Sequence, residues 1–190
     1  LAIFAVADTI KESSRQALAE LHALGVVSVM LTGDNTATAQ TIARQAGIDD
    51  ARGNLLPEDK LSAIENLQKR YGSTAMTGDG INDAPALASA DIGIAMGAAG
   101  TDTAMEAADV VIMNDDLRRI PEVIRLSRRT RAVLWQNIAL ALGIKAVFLV
   151  LAVSGSATMW MAVFADMGAS LLVVFNGLRL LRTSGIESAR

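Results

Sequence analysis

Apolar residues change their rhythm partway along this 190-residue chain: up to about residue 116 they come in short bursts between polar and glycine punctuation, and beyond Arg131 they fuse into two long runs. Residues 1–7 read as a strand, and residues 11–24 as a helix whose Ala17, Leu18, Leu21 and Leu24 form a stripe at helical spacing. Gly25 closes that helix, and Val26 to Leu31 reads as a β-branched strand running into Thr32-Gly33-Asp34-Asn35. The cycle then repeats, with a helix over 37–45 closed by Gly47, a short strand or extended piece near 51–54, and a helix from Pro57 to Tyr71. Proline and acids suit the first turn of that helix. Next come a strand over 73–76, a short helix over 84–89, and strands at 92–96 and 110–113 with a helix over 101–107 between them. Such alternation predicts a parallel, doubly wound α/β sheet covered on both faces. In these sheets reactive groups gather beyond the carboxyl ends of the strands. The polar clusters at Asp8, at Thr32 to Asn35 and at Thr77 to Asp83 each follow a predicted strand.

From Leu117 a charged helix carrying Arg118, Arg119, Arg125, Arg128, Arg129 and Arg131 leads into the apolar run Ala132 to Val153. As a helix that run spans about 33 Å, against a bilayer core of about 30 Å. A second run, Trp160 to Leu181, has the same length, and the Ser-Gly-Ser-Ala-Thr-Met segment between them suits only a tight turn. Arginines flank both outer ends and none lies at the turn, which places both ends on the cytoplasmic side. The competing reading is a buried helical hairpin of a soluble protein.

Charge divides the chain at the same place. Up to Arg125 there are eighteen acids and ten bases, net −8; from Leu126 onward there are two acids and seven bases, net +5. The absence of cysteine excludes disulfides and thiolate metal sites within the chain. His22, the only histidine, lies among helix-like residues and reads as a surface or partly packed imidazole. No basic tail or aromatic ladder points to nucleic acid. The first residues run into Asp8 without a basic leader and read as a strand rather than a signal peptide.

Candidate chemistry concentrates in Thr77-Gly-Asp-Gly-Ile-Asn-Asp-Ala-Pro85. At a strand end, a turn followed by a helix start can bring Asp79 and Asp83 toward one cation, and exposed, anchored carboxylates suit Mg²⁺ bridging to a phosphate. Gly78 and Gly80 allow close backbone approach, and Asn82 can hold the loop by side-chain hydrogen bonds. Thr32 offers a hydroxyl, and the amides of Gly33 and Asp34 can donate to an anion. The same stretch is also compatible with a plain N-cap turn. Lys60, near the start of the Pro57 helix, can neutralise phosphoryl oxygens or stand as an ordinary solvated lysine.

Together, Thr32 to Asn35, Pro57-Glu58-Asp59-Lys60 and Thr77 to Leu87 resemble the phosphorylation domain of P-type ATPases, within the haloacid-dehalogenase-like phosphotransferases. The resemblance implies an incomplete, Rossmann-like α/β phosphorylation domain followed by a two-helix transmembrane hairpin. It implies phosphate contact by Thr32 and Lys60, Mg²⁺ binding at Asp79, and support of that site by Asn82 and Asp83. The family's phosphorylated aspartate sits in Asp-Lys-Thr-Gly, which does not occur here. Asp8 follows a strand but resembles the return from the nucleotide-binding domain and is not assigned as nucleophile. The chain also begins without methionine. Both features lead us to expect a fragment whose actuator domain, nucleotide-binding domain and earlier membrane helices precede Leu1, and which neither hydrolyses ATP nor binds Mg²⁺ well alone.

Charges in a hydrocarbon region cost several kcal/mol unless paired or hydrated and mark function by default. Lys145 and Asp166 lie at about the same depth, roughly 15 Å from the turn by helical rise, so they can pair, or Asp166 can bind a cation that Lys145 repels. A structural salt bridge orienting the hairpin is the plainer alternative. Asn137 and Asn176 lie nearer the cytoplasmic ends, and Gly143, Gly155, Gly168 and Gly177 permit close helix packing. A lysine in the penultimate helix and Asp166-Met167-Gly168 in the last resemble the zinc, cadmium and lead exporting branch of heavy-metal P-type ATPases. The Tyr-Asn and Met-with-paired-serine patterns of the copper branch do not occur. The resemblance makes Asp166 a ligand of transported Zn²⁺, Cd²⁺ or Pb²⁺, and Lys145 its charge partner rather than a ligand. The remaining thiolate ligands are expected in an upstream Cys-Pro-Cys helix. The expected organisation is a phosphorylation domain over 1–116, a basic connecting helix over 117–131, membrane helices over 132–181 and a tail over 182–190. The expected whole is a multi-pass pump of the inner (plasma) membrane with its soluble domain in the cytoplasm. A copper-branch pump and a membrane-anchored phosphatase of the haloacid-dehalogenase class are the rivals.

Overall fold

The computed structural model describes residues 10–78, 81–97, 102–114, 116–156 and 158–181. The expected strand over 1–7, Asp8, Asp79 and Gly80 lie outside the described residues. Two compact units are present, residues 1–122 and 123–190.

In the first unit the chain runs α1 (Glu12–Ala23), β1 (Val29–Leu31), α2 (Thr36–Ala46), β2 (Asp50–Arg52), α3 (Pro57–Tyr71) and β3 (Ala75–Gly78). A 3₁₀ turn (Ile81–Asp83) then opens α4 (Ala84–Ser89), followed by β4 (Ile92–Met96), α5 (Asp102–Ala107) and β5 (Val110–Ile112). All pairings among the described strands are parallel: β1 with β2, and β3, β4 and β5 in that order. Each strand is short and each crossover carries a helix, as the alternation predicts.

Local chemistry sets the boundaries. Asn35 caps α2, its Oδ1 accepting from Thr38 N–H at 2.8 Å. Ala39, Ala43 and Ala46 then fall on one buried face, and Gly47 closes the helix at φ 79°. Helix α3 starts at Pro57, and the Asp59 carboxylate reaches back to accept from Leu56 N–H at 2.9 Å. Strand β1 starts three residues later than the pattern suggests, because Gly25 and Val26 close α1: Val26 N–H donates to Leu21 O at 3.0 Å. The core joins the two strand groups, with Ile64, Met76, Ala86 and Leu87 buried and Leu31, Ala90 and Ala107 packed against them. Burying Ile64 and Leu87 contributes about 1.5–3 kcal/mol each.

Helix α6 (Arg119–Val153) is one uninterrupted segment, and α7 is Met159–Leu178. Leu117 and Arg118 precede α6 as a turn, where the Arg118 guanidinium donates to both oxygens of Asp116 at 2.8–3.1 Å. The hairpin bends at Gly155 (φ 71°), and Ser156 N–H closes α6 onto Leu151 O at 2.9 Å. Both helices are long and apolar enough to cross a membrane, and their apolar stretches are only 0% and 6% buried by the chain itself. The described residues of this chain leave most of that apolar surface uncovered. The close-packing role expected of the helix glycines is not seen within this chain: a Cβ at Gly143, Gly168 or Gly177 would meet nothing within 4 Å. Ala169 is buried in α7, and Asn176 Nδ2 donates to Asn137 Oδ1 of α6 at 2.9 Å.

Candidate functional site

Two groups of the predicted residues come together, one in each unit. In the first, β3 ends at Gly78 and the chain turns through Ile81–Asp83 into α4, so Asp83 stands at the carboxyl end of the strand. Lys60, on the first turn of α3, donates from Nζ to Asp83 Oδ1 at 2.7 Å, and both side chains are largely buried at 17% and 15% exposure. This pair removes the solvated-lysine reading. Gly78 is required for it, because a Cβ there would lie 2.8 Å from Asp83 Cβ and 2.9 Å from Oδ2. Asn82 is exposed on the 3₁₀ turn.

The loop after β1 is held from both sides. Thr32 Oγ1 donates to Asp34 Oδ2 at 3.0 Å, and Asp34 N–H donates back to Thr32 Oγ1 at 3.1 Å. The Asp34 amide expected to face an anion is thus engaged inside its own turn, leaving Gly33 as the candidate donor. Asn35 performs the capping, so the loop is an N-cap turn with a threonine–aspartate contact added to it. Thr32 O accepts from Leu55 N–H at 3.1 Å, which ties this loop to the segment that opens α3 and carries Lys60.

Two supporting residues escaped the sequence reading. A Cβ at Gly53 would come within 2.7 Å of Asp34 O and Thr36 N, so only glycine fits. Asn54, at φ 57°, donates from N–H to Asp34 O at 2.6 Å and from Nδ2 to Thr36 Oγ1 at 3.0 Å. A Gly-Asn pair at a strand end was the available signal, since these residue types tolerate the left-handed region.

For Mg²⁺, the described donors supply one suitable carboxylate. Asp83 gives one oxygen to Lys60, and no group of three or more His, Cys, Asp or Glu side chains converges among the described residues. That fits an ion held by one or two carboxylates, waters and substrate phosphate, not a site built wholly from protein. His22 is engaged by other residues. Its Nε2 lies 2.9 Å from Asp49 Oδ2 and 3.1 Å from Ser28 Oγ, so a single ring nitrogen serves both neighbours and no Ser-His-Asp relay exists. Asp49 also accepts from Ser28 N–H at 2.7 Å, and that backbone bond, ahead of the Ser28 hydroxyl and His22, holds its carboxyl below the usual range.

In the hairpin, Lys145 Nζ stands 3.9 Å from Asp166 Oδ1, an ion pair too long to be a hydrogen bond. Both side chains are about two-thirds exposed and line a cleft of about 280 Å³ with Ile144, Phe148, Ala162 and Ala169. Asp166 sits in mid-helix, with Ser170 Oγ donating to its backbone oxygen at 2.9 Å. Toward the other end of the hairpin, Asn176 Nδ2 donates to Asn137 Oδ1 at 2.9 Å and approaches Gln136 Oε1 at 3.4 Å. The sequence shows these asparagines as isolated polar groups, and only the pairing of the helices brings them together.

A haloacid dehalogenase-like hydrolase family model matches residues 1–91. A probable cadmium-transporting ATPase of Alkalihalophilus pseudofirmus is 52% identical over 96% of the chain, and a cadmium, zinc and cobalt-transporting ATPase of Bacillus subtilis is 49% identical over 93%. The chain covers 25% and 26% of those proteins, so it spans about a quarter of the length of the curated relatives it matches. The crystal structure of a zinc-transporting PIB-type ATPase superposes with a TM-score of 0.86 at 48% identity, covering 92% of this chain and 28% of that one.

Proposed function

We propose that this chain, which belongs to the heavy-metal-transporting P-type ATPases, supplies part of the phosphorylation domain and two membrane helices to a pump that exports Zn²⁺, Cd²⁺ or Pb²⁺. The observation that carries the reading is the Lys145–Asp166 pair on two apolar helices. Such charges are too costly in hydrocarbon to persist there without a role. Asp166 is the carboxylate that receives the cargo ion, and Lys145 competes with the ion for it. At 3.9 Å the pair is loose enough for the carboxylate to exchange partners.

In the soluble unit, Lys60 holds Asp83 at the end of β3 and presents its charge toward phosphoryl oxygens, while Thr32 and the Gly33 amide contact the phosphate. Mg²⁺, held by Asp79 and Asp83 with waters, would neutralise charge on the transferred group. Asn82 supports the turn that carries Asp83. The phosphoryl acceptor is an aspartate outside this chain, as are the groups that bind ATP and the actuator and upstream membrane segments. The boundaries we propose are 1–116, 117–131, 132–181 and 182–190, in a multi-pass protein of the inner membrane with the soluble unit cytoplasmic.

Relatives of about half identity carry cadmium and zinc names, which favours this cargo over copper. The direct test is ATP turnover of the full-length protein with zinc, cadmium, lead and copper in parallel. Stimulation by the first three and not by copper supports the proposal; stimulation by copper alone assigns the copper branch, and metal-independent phosphate release assigns a phosphatase.

A further inference from the structure

The segment between β2 and α3 is bonded along its length to the loop that follows β1. Thr32 N–H donates to Arg52 O at 3.0 Å, Leu55 N–H to Thr32 O at 3.1 Å, and Asn54 N–H to Asp34 O at 2.6 Å. The Asn54 carboxamide adds a fourth bond, from Nδ2 to Thr36 Oγ1 at 3.0 Å, so this one residue holds the loop at Asp34 and again at the first residue of α2. A Cβ at Gly33 would meet Leu55 O at 3.5 Å, which puts the candidate phosphate amide beside the same segment. Just beyond, Leu56 N–H donates to the Asp59 carboxylate at 2.9 Å and Lys60 N–H to Leu56 O at 3.1 Å. The strap therefore ends in the turn that carries Lys60. Asn54 is also the one non-glycine residue at positive φ, 57°, among the described residues. Asparagine tolerates this region better than other residues that bear a side chain, and backbone held there tends to mark a functional constraint.

From this geometry we infer that Asn54 is a positioning residue for phosphate: it fixes the spacing between the turn that bears Thr32 and Gly33 and the helix start that bears Lys60. Asn54 itself touches no phosphate. A phosphoryl group held between a hydroxyl, an amide and an ammonium gains from all three only while their spacing is fixed. Asn54 maintains it in two ways, by a left-handed backbone that aims its N–H at Asp34 O and by a carboxamide that reaches Thr36. The inference rests on the phosphate role proposed above for Thr32, Gly33 and Lys60.

The test is phosphoenzyme formation by the full-length protein from radioactive inorganic phosphate, with Mg²⁺ and without transition metal, titrated in wild type, Asn54→Gly, Asn54→Ala, Asn54→Val and Thr36→Val. Gln68→Ala, which loses a bond to Ser89 O elsewhere on α3, is the stability control. The phosphate concentration for half-maximal labelling should rise about five-fold in Asn54→Ala and Asn54→Val, which disfavour the left-handed backbone. It should rise only about two-fold in Asn54→Gly and Thr36→Val, which lose the carboxamide bond and keep the backbone. Gln68→Ala should lower the melting temperature and leave that concentration unchanged. A purely structural Asn54 would reduce melting temperature and labelled amount at the wild-type phosphate midpoint, and that result overturns the inference. An equal midpoint shift in Gln68→Ala overturns it as well. If Asn54→Val does not fold, the midpoints of Asn54→Ala and Thr36→Val decide. A wild type that takes no label overturns the proposed function itself, and this inference with it.

Discussion

At the scale of single residues, the candidate site after β3 is built on one ion pair and the glycine that makes room for it. Lys60→Met and Asp83→Asn should each destabilise the soluble unit by about 1–3 kcal/mol, since either leaves a largely buried charge without its partner. Added together in K60M/D83N they should cost less than their sum, and a double-mutant cycle by denaturant unfolding of the full-length protein measures the coupling. Additive costs would show that the 2.7 Å contact carries no energy. Gly78→Ala should mimic Asp83→Asn, because its Cβ would displace the Asp83 side chain. Asp49 gives a pH signature elsewhere in the unit. Its carboxyl is held below the usual value of 3.8, chiefly by Ser28 N–H, so the stabilisation is present above that value and is lost as pH falls through the lower folded-state value. The gap in melting temperature between wild type and Asp49→Asn should therefore close on acidification below about pH 4.

At the scale of elements, caps and glycines decided the boundaries that the apolar pattern only located. Helix α3 spans the residues read from the sequence, with Pro57 at its start as expected and Gly72 as its C-cap. The strand expected from Val26 was shortened because glycine at position 25 lets the helix close through Val26, a backbone bond that no spacing rule counts. Asn35→Ala should cost about 1 kcal/mol by removing the cap of α2. It should also loosen the neighbouring Thr32–Asp34 turn, visible as faster amide exchange there. In the hairpin, Asn176→Ala or Asn137→Ala should each lower resistance to denaturing detergent by about 0.6 kcal/mol, the typical value for a hydrogen bond between membrane helices. The pairing of those asparagines was not legible, since it depends on the register of two helices whose contact residues lie 39 positions apart. Lys145 and Asp166 were legible because charge in an apolar run is rare enough to stand out singly.

At the scale of the whole molecule, a parallel α/β unit is followed by a hairpin of two helices long and apolar enough to cross a membrane, and α6 runs from the end of the first unit into the second. Alternation of strand and helix exposed the first, and uninterrupted apolar length exposed the second. What stayed hidden were the supporting contacts made across sequence distance, such as Gly53 and Asn54 bracing the Asp34 turn. The central claim of the proposed function is that ion binding at Asp166 governs phosphoryl transfer at the α/β unit. It is tested most directly by labelling the full-length protein with radioactive phosphate, from ATP or from inorganic phosphate, in wild type and Asp166→Ala. The account predicts an acid-stable phosphoenzyme from ATP that appears in wild type only when zinc or cadmium is added. It is lost in Asp166→Ala, while labelling by inorganic phosphate is retained. Equal, metal-independent labelling from ATP in both proteins would contradict it.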